Sequence, residues 1–444
     1  MREPVRPAEP FLGYTRGELR MEGASLADLA VRLGTPFFLI SESRLRENYR
    51  ALERGLSGAV LRYCAKTNHE AGVLEVLAGC GSHLLASHAA EVVLAIRCGF
   101  PPERIAYARP VLAPEELETV LAAGVPLVHV HRLDDLPLLQ EAAARSGRPV
   151  RLSFRLRGGG GGLSPLGRLN RRTGLDPEEV VECARRAMAS PWLEPAAVNF
   201  YVGTQQASLD GFARAFRGVV TLLRRVAAEA GVALREVNLG GGIPSPSLRR
   251  VGPRHLLGRW RDRLAAVPAG SSERLELLAT ALARRFRELV EEARLPEPPI
   301  LAAEPGRSIV GDAAVLVSRV RAVRATWLFL DASRNVLPES PVLFARRILP
   351  FREASGPERF WNLSGNTLNT LDLLDLHRRL PLLSPGDGLA FCDAGAYSIS
   401  RASSYAGLWP AVYMLQADGR VRLIRRAGGV EDLERPMIRG ERRD

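Results

Sequence analysis
The sequence predicts an α/β protein: a (β/α)8 TIM-like barrel followed by an antiparallel β-sandwich or β-barrel C-terminal domain. Three observations lead there. Short apolar runs alternate with helical patterns between Ala59 and Ala303; there are eight such runs; and beyond Ser308 the long helical patterns stop. The span from Ala59 to Ala303 is 245 residues, against about 250 in a typical barrel of this kind.

The eight predicted strands are Ala59 to Ala65, His83 to Ala86, Arg104 to Tyr107, Pro126 to Val130, Pro149 to Leu156, Ala196 to Val202, Glu236 to Leu239 and Ile300 to Ala303. Each is rich in β-branched, aromatic or other apolar residues and bounded by turn residues. Between them, 3.6-residue periodicity predicts helices that include Ala89 to Cys98, Pro114 to Ala123, Asp134 to Arg145, Pro177 to Met188, Leu209 to Ala230 and Glu273 to Ala293, several followed by glycine. The run Gly158 to Gly162, with Ser164 and Pro165, reads as a loop at the fifth strand's end. Pro244 to Ser272 reads as a segment over the barrel mouth. The later runs AAVLVSRVRAV, TWLFLDAS, GLAFCDAGAYS and PAVYMLQADGRVRLIRR predict strands, the last containing an Asp-Gly hairpin turn at Ala417 to Arg420.

Composition narrows the function classes. With 46% hydrophobic and 25% charged residues the 444-residue chain is ordinary globular protein. No apolar run is long enough for a membrane span and the start, MREPVRPAEP, has no apolar signal region, so a cytoplasmic protein is expected. Five cysteines without a CxxC pair fit reduced thiols, and no metal site is expected. The net charge of +12 comes from arginines placed beside Glu and Asp, as in RRFRELVEEARL, so no nucleic-acid partner is expected.

Of the 61 basic residues only Lys66 is lysine. Arginine replaces lysine in charge, ion pairing and phosphate contact, but its guanidinium stays protonated and cannot condense with a carbonyl. The service that only a lysine provides is a Schiff base, the covalent anchor of pyridoxal phosphate and of carbonyl substrates. Lys66 closes AVLRYCAK at the carboxyl end of the first predicted strand, where barrels carry their chemistry.

Three motifs fall at later strand ends. In NLGGGIP, Gly240, Gly241 and Gly242 expose successive backbone N–H groups that can approach a phosphate. In AEPGR, the Glu304 carboxylate can keep a pyridine nitrogen protonated, and Gly306 and Arg307 can approach and pair with a phosphate. In NFYVGTQ, Tyr201 can stack on a flat cofactor and Thr204 can reach its phosphate. Each motif also has a plain structural reading: a tight turn, a surface ion pair, a core aromatic.

The chain resembles the fold type III pyridoxal-phosphate-dependent decarboxylases, whose best-known members act on diaminopimelate, ornithine and arginine. The resemblance runs through TPFFLIS, YCAKTN, AAEVVLAIRCGFPPERIAYARP, VNFYVGTQ, VNLGGGIP, AEPGRSIV and DAGAYSISRASSYAG, and covers nearly the whole chain. It implies N-terminal strand(s) in residues 1–36 joining the C-terminal β domain, a cofactor-binding barrel over 37–307 and a β domain over 308–444. It also implies a homodimer with shared active sites, Lys66 as the covalent anchor, Glu304 on the ring nitrogen, and Tyr397 contributed by the partner chain as a catalytic and phosphate contact. Asp331, Asn369 and Asp372 are implied as substrate contacts. Among the positions that depart from the pattern, Tyr201 stands where the family stacks a histidine, a variant associated with carrier-protein-bound aminoacyl substrates, Leu368 in SGNTLNTLD stands where the family has a cysteine, and Asn369 and Leu85 stand where it has acidic residues.

The expected function is therefore pyridoxal-phosphate-dependent decarboxylation of an amino acid or a carrier-bound aminoacyl group through a Lys66 Schiff base. A racemase or epimerase using Lys66 and Tyr397, and a catalytically inactive regulatory paralogue, are the alternatives. Glu304 favours decarboxylation, because a protonated ring stabilises the electron pair left by CO₂ loss.

Overall fold
A computed structural model describes residues 11–158, 172–250, 271–339, 344–353 and 356–437. Most of the Gly158–Gly162 run, with Ser164 and Pro165, and most of Pro244–Ser272 lie outside the described residues. The chain divides into two compact units. One runs from Arg46 to Pro246 and from Ser271 to Val310; the other gathers the residues up to Leu45, a stretch beginning at Ser247, and everything from Gly311 on.

The first unit is a closed parallel barrel. Its strands are Val60–Cys64, His83–Ala86, Ile105–Ala108, Leu127–Val130, Val150–Arg155, Leu193–Asn199, Glu236–Asn238 and Ile300–Ala303, each paired to the next and the last to the first. All eight sequence-predicted strands are present. The sixth is displaced most: it ends at Asn199, and the apolar residues that extended its pattern, Phe200 and Val202, are buried beyond it. The Phe200 ring sets edge-on against Phe216 at 5.6 Å, and Phe216 meets Phe286, so the helices Leu209–Ala230 and Ser272–Ala293 pack together at that point. The helix Pro177–Met188 begins with a capping box, in which the Asp176 N–H donates to Glu179 Oε2 at 2.7 Å.

The barrel wall carries a buried ion pair. Arg62 on the first strand donates from Nη1 and Nη2 to the two oxygens of Glu236 on the seventh, both at 2.7 Å. Burial, then the Arg62 charge, pushes nearby His83 down to about 4. Removing one partner of a buried pair leaves the other charged and unpaired. Arg62→Ala should therefore lower stability by about 3–5 kcal/mol, whereas the double substitution Arg62→Leu/Glu236→Leu should recover most of it. Thermal and urea unfolding of the three proteins check this.

The second unit is built on a nine-stranded sheet centred on Ala314–Arg324. Leu12–Thr15, Glu18–Met21 and Ala24–Ser25 form a three-stranded sheet of their own, and Phe37–Ser41 pairs antiparallel with Ala314–Arg324 and parallel with Ala411–Leu415. It lies just past the boundary at residue 36, and the units divide after Leu45 and Val310. The nine-stranded sheet is mixed where the sequence suggested purely antiparallel pairing: Trp327–Leu330 also runs parallel to Glu358–Ser364. Glu358–Ser364 and Leu373–Pro381 escaped the sequence reading, because bulges at Trp361/Leu363 and Leu363/Ser364 break their alternation. The expected Asp-Gly hairpin joins Ala411–Leu415 to Val421–Arg425.

Candidate active site
Lys66 lies in a single 3-10 turn, Ala65–Thr67, immediately after the first barrel strand. Its neighbours Ala65 and Thr67 are buried while Lys66 is exposed. The turn is fixed by Asn68: its N–H donates to Ala65 O at 3.0 Å, and its carbonyl accepts from the Tyr63 hydroxyl at 2.8 Å. The Cys64 N–H donates to Pro305 O at 3.0 Å, which brings the AEPGR loop alongside the lysine strand. There Gly306 sits so close to Thr67 that a Cβ would collide with its Oγ1.

Glu304 follows the last barrel strand and is 6% exposed. Its Oε1 accepts from Asn238 Nδ2 at 2.7 Å and from Asn199 Nδ2 at 3.4 Å, and stands 3.4 Å from His129 Nε2. Its Oε2 accepts no hydrogen bond among the described residues. The Glu304 N–H donates to Gly240 O at 2.9 Å, so the carboxylate is tied to the glycine loop.

Two of the three loop glycines are required. Gly240 has φ +69° and Gly242 φ +95°, and a Cβ would strike the Phe200 carbonyl at the first and the Gly203 carbonyl at the second. The Gln206 N–H donates to Gly242 O at 2.9 Å, lacing the loop that carries Tyr201 and Thr204 to the glycine loop. Gly240→Ala must displace one of these loops in addition to the left-handed penalty of about 1–2 kcal/mol. We expect it to raise the dissociation constant for pyridoxal phosphate at least about tenfold, measured by fluorescence titration; unchanged affinity would show that the loop does not hold the phosphate.

The half-buried Tyr201 ring is faced by the Arg155 guanidinium at 5.6 Å, and Thr204 is half-buried beside it. Arg307 is buried, and the adjoining Ser308 hydroxyl is buried with no hydrogen-bond partner among the described residues. The barrel unit thus gathers Lys66, Tyr201, Thr204, Gly240 to Gly242, Glu304, Gly306 and Arg307 at the carboxyl ends of its first, sixth, seventh and eighth strands.

Tyr397, Asp331, Asn369 and Asp372 belong to the other unit. Tyr397 has φ +56°. Asp331 accepts from Thr35 Oγ1 at 2.6 Å, Ser318 Oγ at 2.7 Å and the Arg319 N–H at 2.9 Å. Asp372 accepts from the Arg334 N–H at 2.7 Å and Thr367 Oγ1 at 2.6 Å, and Asn369 Oδ1 from the Leu371 N–H at 3.0 Å. All three are engaged by groups of their own unit.

Sequence reasoning missed His129, Arg155, Asn199 and Asn238. A signal was present for the two asparagines: AAVN and REVN both close an apolar barrel strand with a buried amide, which needs a partner.

A parallel barrel with its lysine at one strand end, a buried carboxylate with one open oxygen at the adjoining end, and a glycine loop with no room for a Cβ at two of its three positions defines a barrel enzyme suited to a phosphorylated aldehyde cofactor. Pyridoxal phosphate fits that donor set. Residues 42–311 match the family described as "Pyridoxal-dependent decarboxylase, pyridoxal binding domain", and the chain belongs to that family. Among its relatives, the diaminopimelate decarboxylase of Methanothermobacter thermautotrophicus is 29% identical over 440 residues, covering 95% of each chain. That of Aquifex aeolicus is 25% identical, covering 98% of this chain and 99% of its own. In fold, the crystal structure of diaminopimelate decarboxylase from M. jannaschii aligns with a TM-score of 0.83 at 22% identity over 97% of this chain and 98% of its own. The chain is a pyridoxal-phosphate-dependent amino-acid decarboxylase.

Proposed function
We propose that the chain decarboxylates a free amino acid of the diaminopimelate type at the carboxyl end of its barrel, with Lys66 holding pyridoxal phosphate covalently. The observation that carries this is Glu304: buried, held through Oε1 and open at Oε2, in the loop that hydrogen-bonds to the lysine strand. When bound, the cofactor supplies a ring that accepts the electron pair left at Cα as the carboxylate departs. Glu304 Oε2 holds a proton on the ring nitrogen. The Gly240 to Gly242 backbone, Gly306, Thr204 and Arg307 would hold the phosphate, and Tyr201 would stack on the ring. The Lys66 amine would be placed to carry a proton to the substrate's Cα; Leu368, where the family resemblance places a cysteine, has none to give.

Diaminopimelate is the substrate to test first, because relatives matched over nearly the whole chain bear that name. Loaded protein incubated with diaminopimelate, lysine, ornithine, arginine and carrier-linked aminoacyl thioesters should release CO₂ from diaminopimelate. Release from the thioesters alone would instead support the carrier-bound reading that Tyr201 favours. Stereochemical inversion without CO₂ would support a racemase, and silence throughout an inactive paralogue.

A homodimer with shared sites, Tyr397 coming from the partner chain, is part of the proposal. Leu368, Leu371, Tyr405 and Leu408 are exposed on loops joined through Arg334 and Asn335, which reach Asp372 and the Tyr405 carbonyl. Such an apolar patch is a candidate protein interface. Sedimentation should show a dimer that Leu371→Asp/Tyr405→Asp dissociates with loss of activity; an active monomer would contradict it. Five free cysteines favour a reducing compartment, and we place the protein in the cytoplasm; among the described residues no helix is long and apolar enough to cross a membrane.

A further inference from the structure
His129 lies on the fourth barrel strand, 2% exposed, and no step above uses it. Its Nε2 is buried with no hydrogen-bond partner among the described residues and stands 3.4 Å from Glu304 Oε1, within reach of donating to it after a small adjustment of the ring. Burial, then the positive charges of Arg62 and Arg155, push its pKa down to about 3; Glu236 acts in the opposite direction, and Lys66 adds a smaller lowering influence. The neighbouring His131 is lowered likewise, chiefly by burial. The ring is therefore neutral under working conditions and carries one N–H. Because Nε2 faces a carboxylate oxygen, that hydrogen belongs on Nε2.

The two asparagines around the same oxygen are oriented by their own acceptors. Asn238 Oδ1 accepts from the Gly240 N–H at 2.8 Å, and Asn199 Oδ1 accepts from the Arg155 guanidinium, which leaves both amide nitrogens turned to Glu304. Three neutral nitrogens thus converge on Oε1.

We propose that His129 is a positioning residue for Glu304: together with Asn238 and Asn199 it fixes Oε1 by neutral donors, so that Oε2 alone is presented to the cofactor's ring nitrogen. Neutrality is the functional point. A protonated histidine here would compensate the carboxylate charge and compete with the protonated ring for it, whereas a neutral N–H favours the ionised carboxylate without competing. Asn238 extends the device, since its oxygen holds the glycine loop and its nitrogen holds Glu304, so the phosphate end and the nitrogen end of the cofactor site share one side chain.

The inference rests on the reading that Glu304 partners the ring, and the tests separate the two. His129→Leu should lower kcat on the order of tenfold with KM and the melting temperature nearly unchanged. His129→Gln, which keeps an N–H, should restore kcat. In cofactor-free protein, imidazole ¹⁵N spectra, with His129 assigned by its loss in His129→Gln, should show the Nε2-protonated neutral form down to about pH 5. An Nδ1-protonated ring, or a His129→Leu protein with unchanged kcat while Glu304→Gln is slow, would overturn the inference alone. Unchanged turnover in Glu304→Gln would overturn the reading of Glu304 itself. The spectra and His129→Gln still decide if His129→Leu does not fold.

Discussion
Lys66→Ala should lose the near-ultraviolet to visible absorbance of bound cofactor and lower kcat on the order of 10⁴-fold or more. The size follows from what is removed: the covalent hold on the cofactor and a nearby amine able to move a proton are lost together. Lys66→Arg is the sharper variant. It preserves positive charge at the end of the first barrel strand, yet a guanidinium cannot condense with an aldehyde, so it should fail as badly as alanine. The protein is unusually suited to this comparison, because it meets every other demand for a basic side chain with arginine. Full turnover in Lys66→Arg would show that the lysine supplies charge alone.

Glu304→Gln should leave the cofactor bound and slow turnover on the order of 10²-fold or more, since stabilising the departing electron pair acts chiefly on the transition state. The structure specifies why glutamine is inadequate. An amide oxygen in the Oε1 position can still accept from Asn238, but the other end of the side chain then presents an NH₂ where Oε2 was open, and neither atom bears the charge that keeps a ring nitrogen protonated. Glu304→Asp preserves the charge but is one methylene short, so it cannot keep the 2.7 Å contact to Asn238 and reach the ring together. KM should change little in the glutamine variant. Unchanged kcat would reduce the motif to a structural role.

The barrel was legible because its strands are short, apolar and separated by capped amphipathic helices, so the hydrophobic period and the punctuation agree. Lys66, Glu304 and the glycine loop were legible for a different reason: each is a residue type whose chemistry its neighbours in the chain cannot duplicate. What escaped was set by partners distant in sequence. His129 reads as one polar residue in LVHV, and only the closure of the barrel brings it to a carboxylate 175 residues later. Asn238 opens NLGGGIP two residues before the glycines, and only the closed barrel brings its amide to Glu304. Glu358–Ser364 and Leu373–Pro381 were missed because bulges and the left-handed His377 interrupt their alternation. Asp331 and Asp372 gave no sequence sign that their oxygens would be taken by hydroxyls and backbone N–H groups of their own unit.

The central claim is that one amine, Lys66 Nζ, holds the cofactor of a decarboxylase. Borohydride reduction of the loaded protein fixes the cofactor to whichever nitrogen carries it, and the sequence makes the answer unambiguous, since the only other primary amine is the chain's amino terminus. Trypsin cannot cleave at a modified Lys66, so the pyridoxyl mass should appear on the single peptide from Tyr63 to Arg97. Addition of diaminopimelate before reduction should release CO₂ and deplete that label. A label on the amino-terminal peptide, or none on Tyr63 to Arg97 in protein that releases CO₂, would contradict the account.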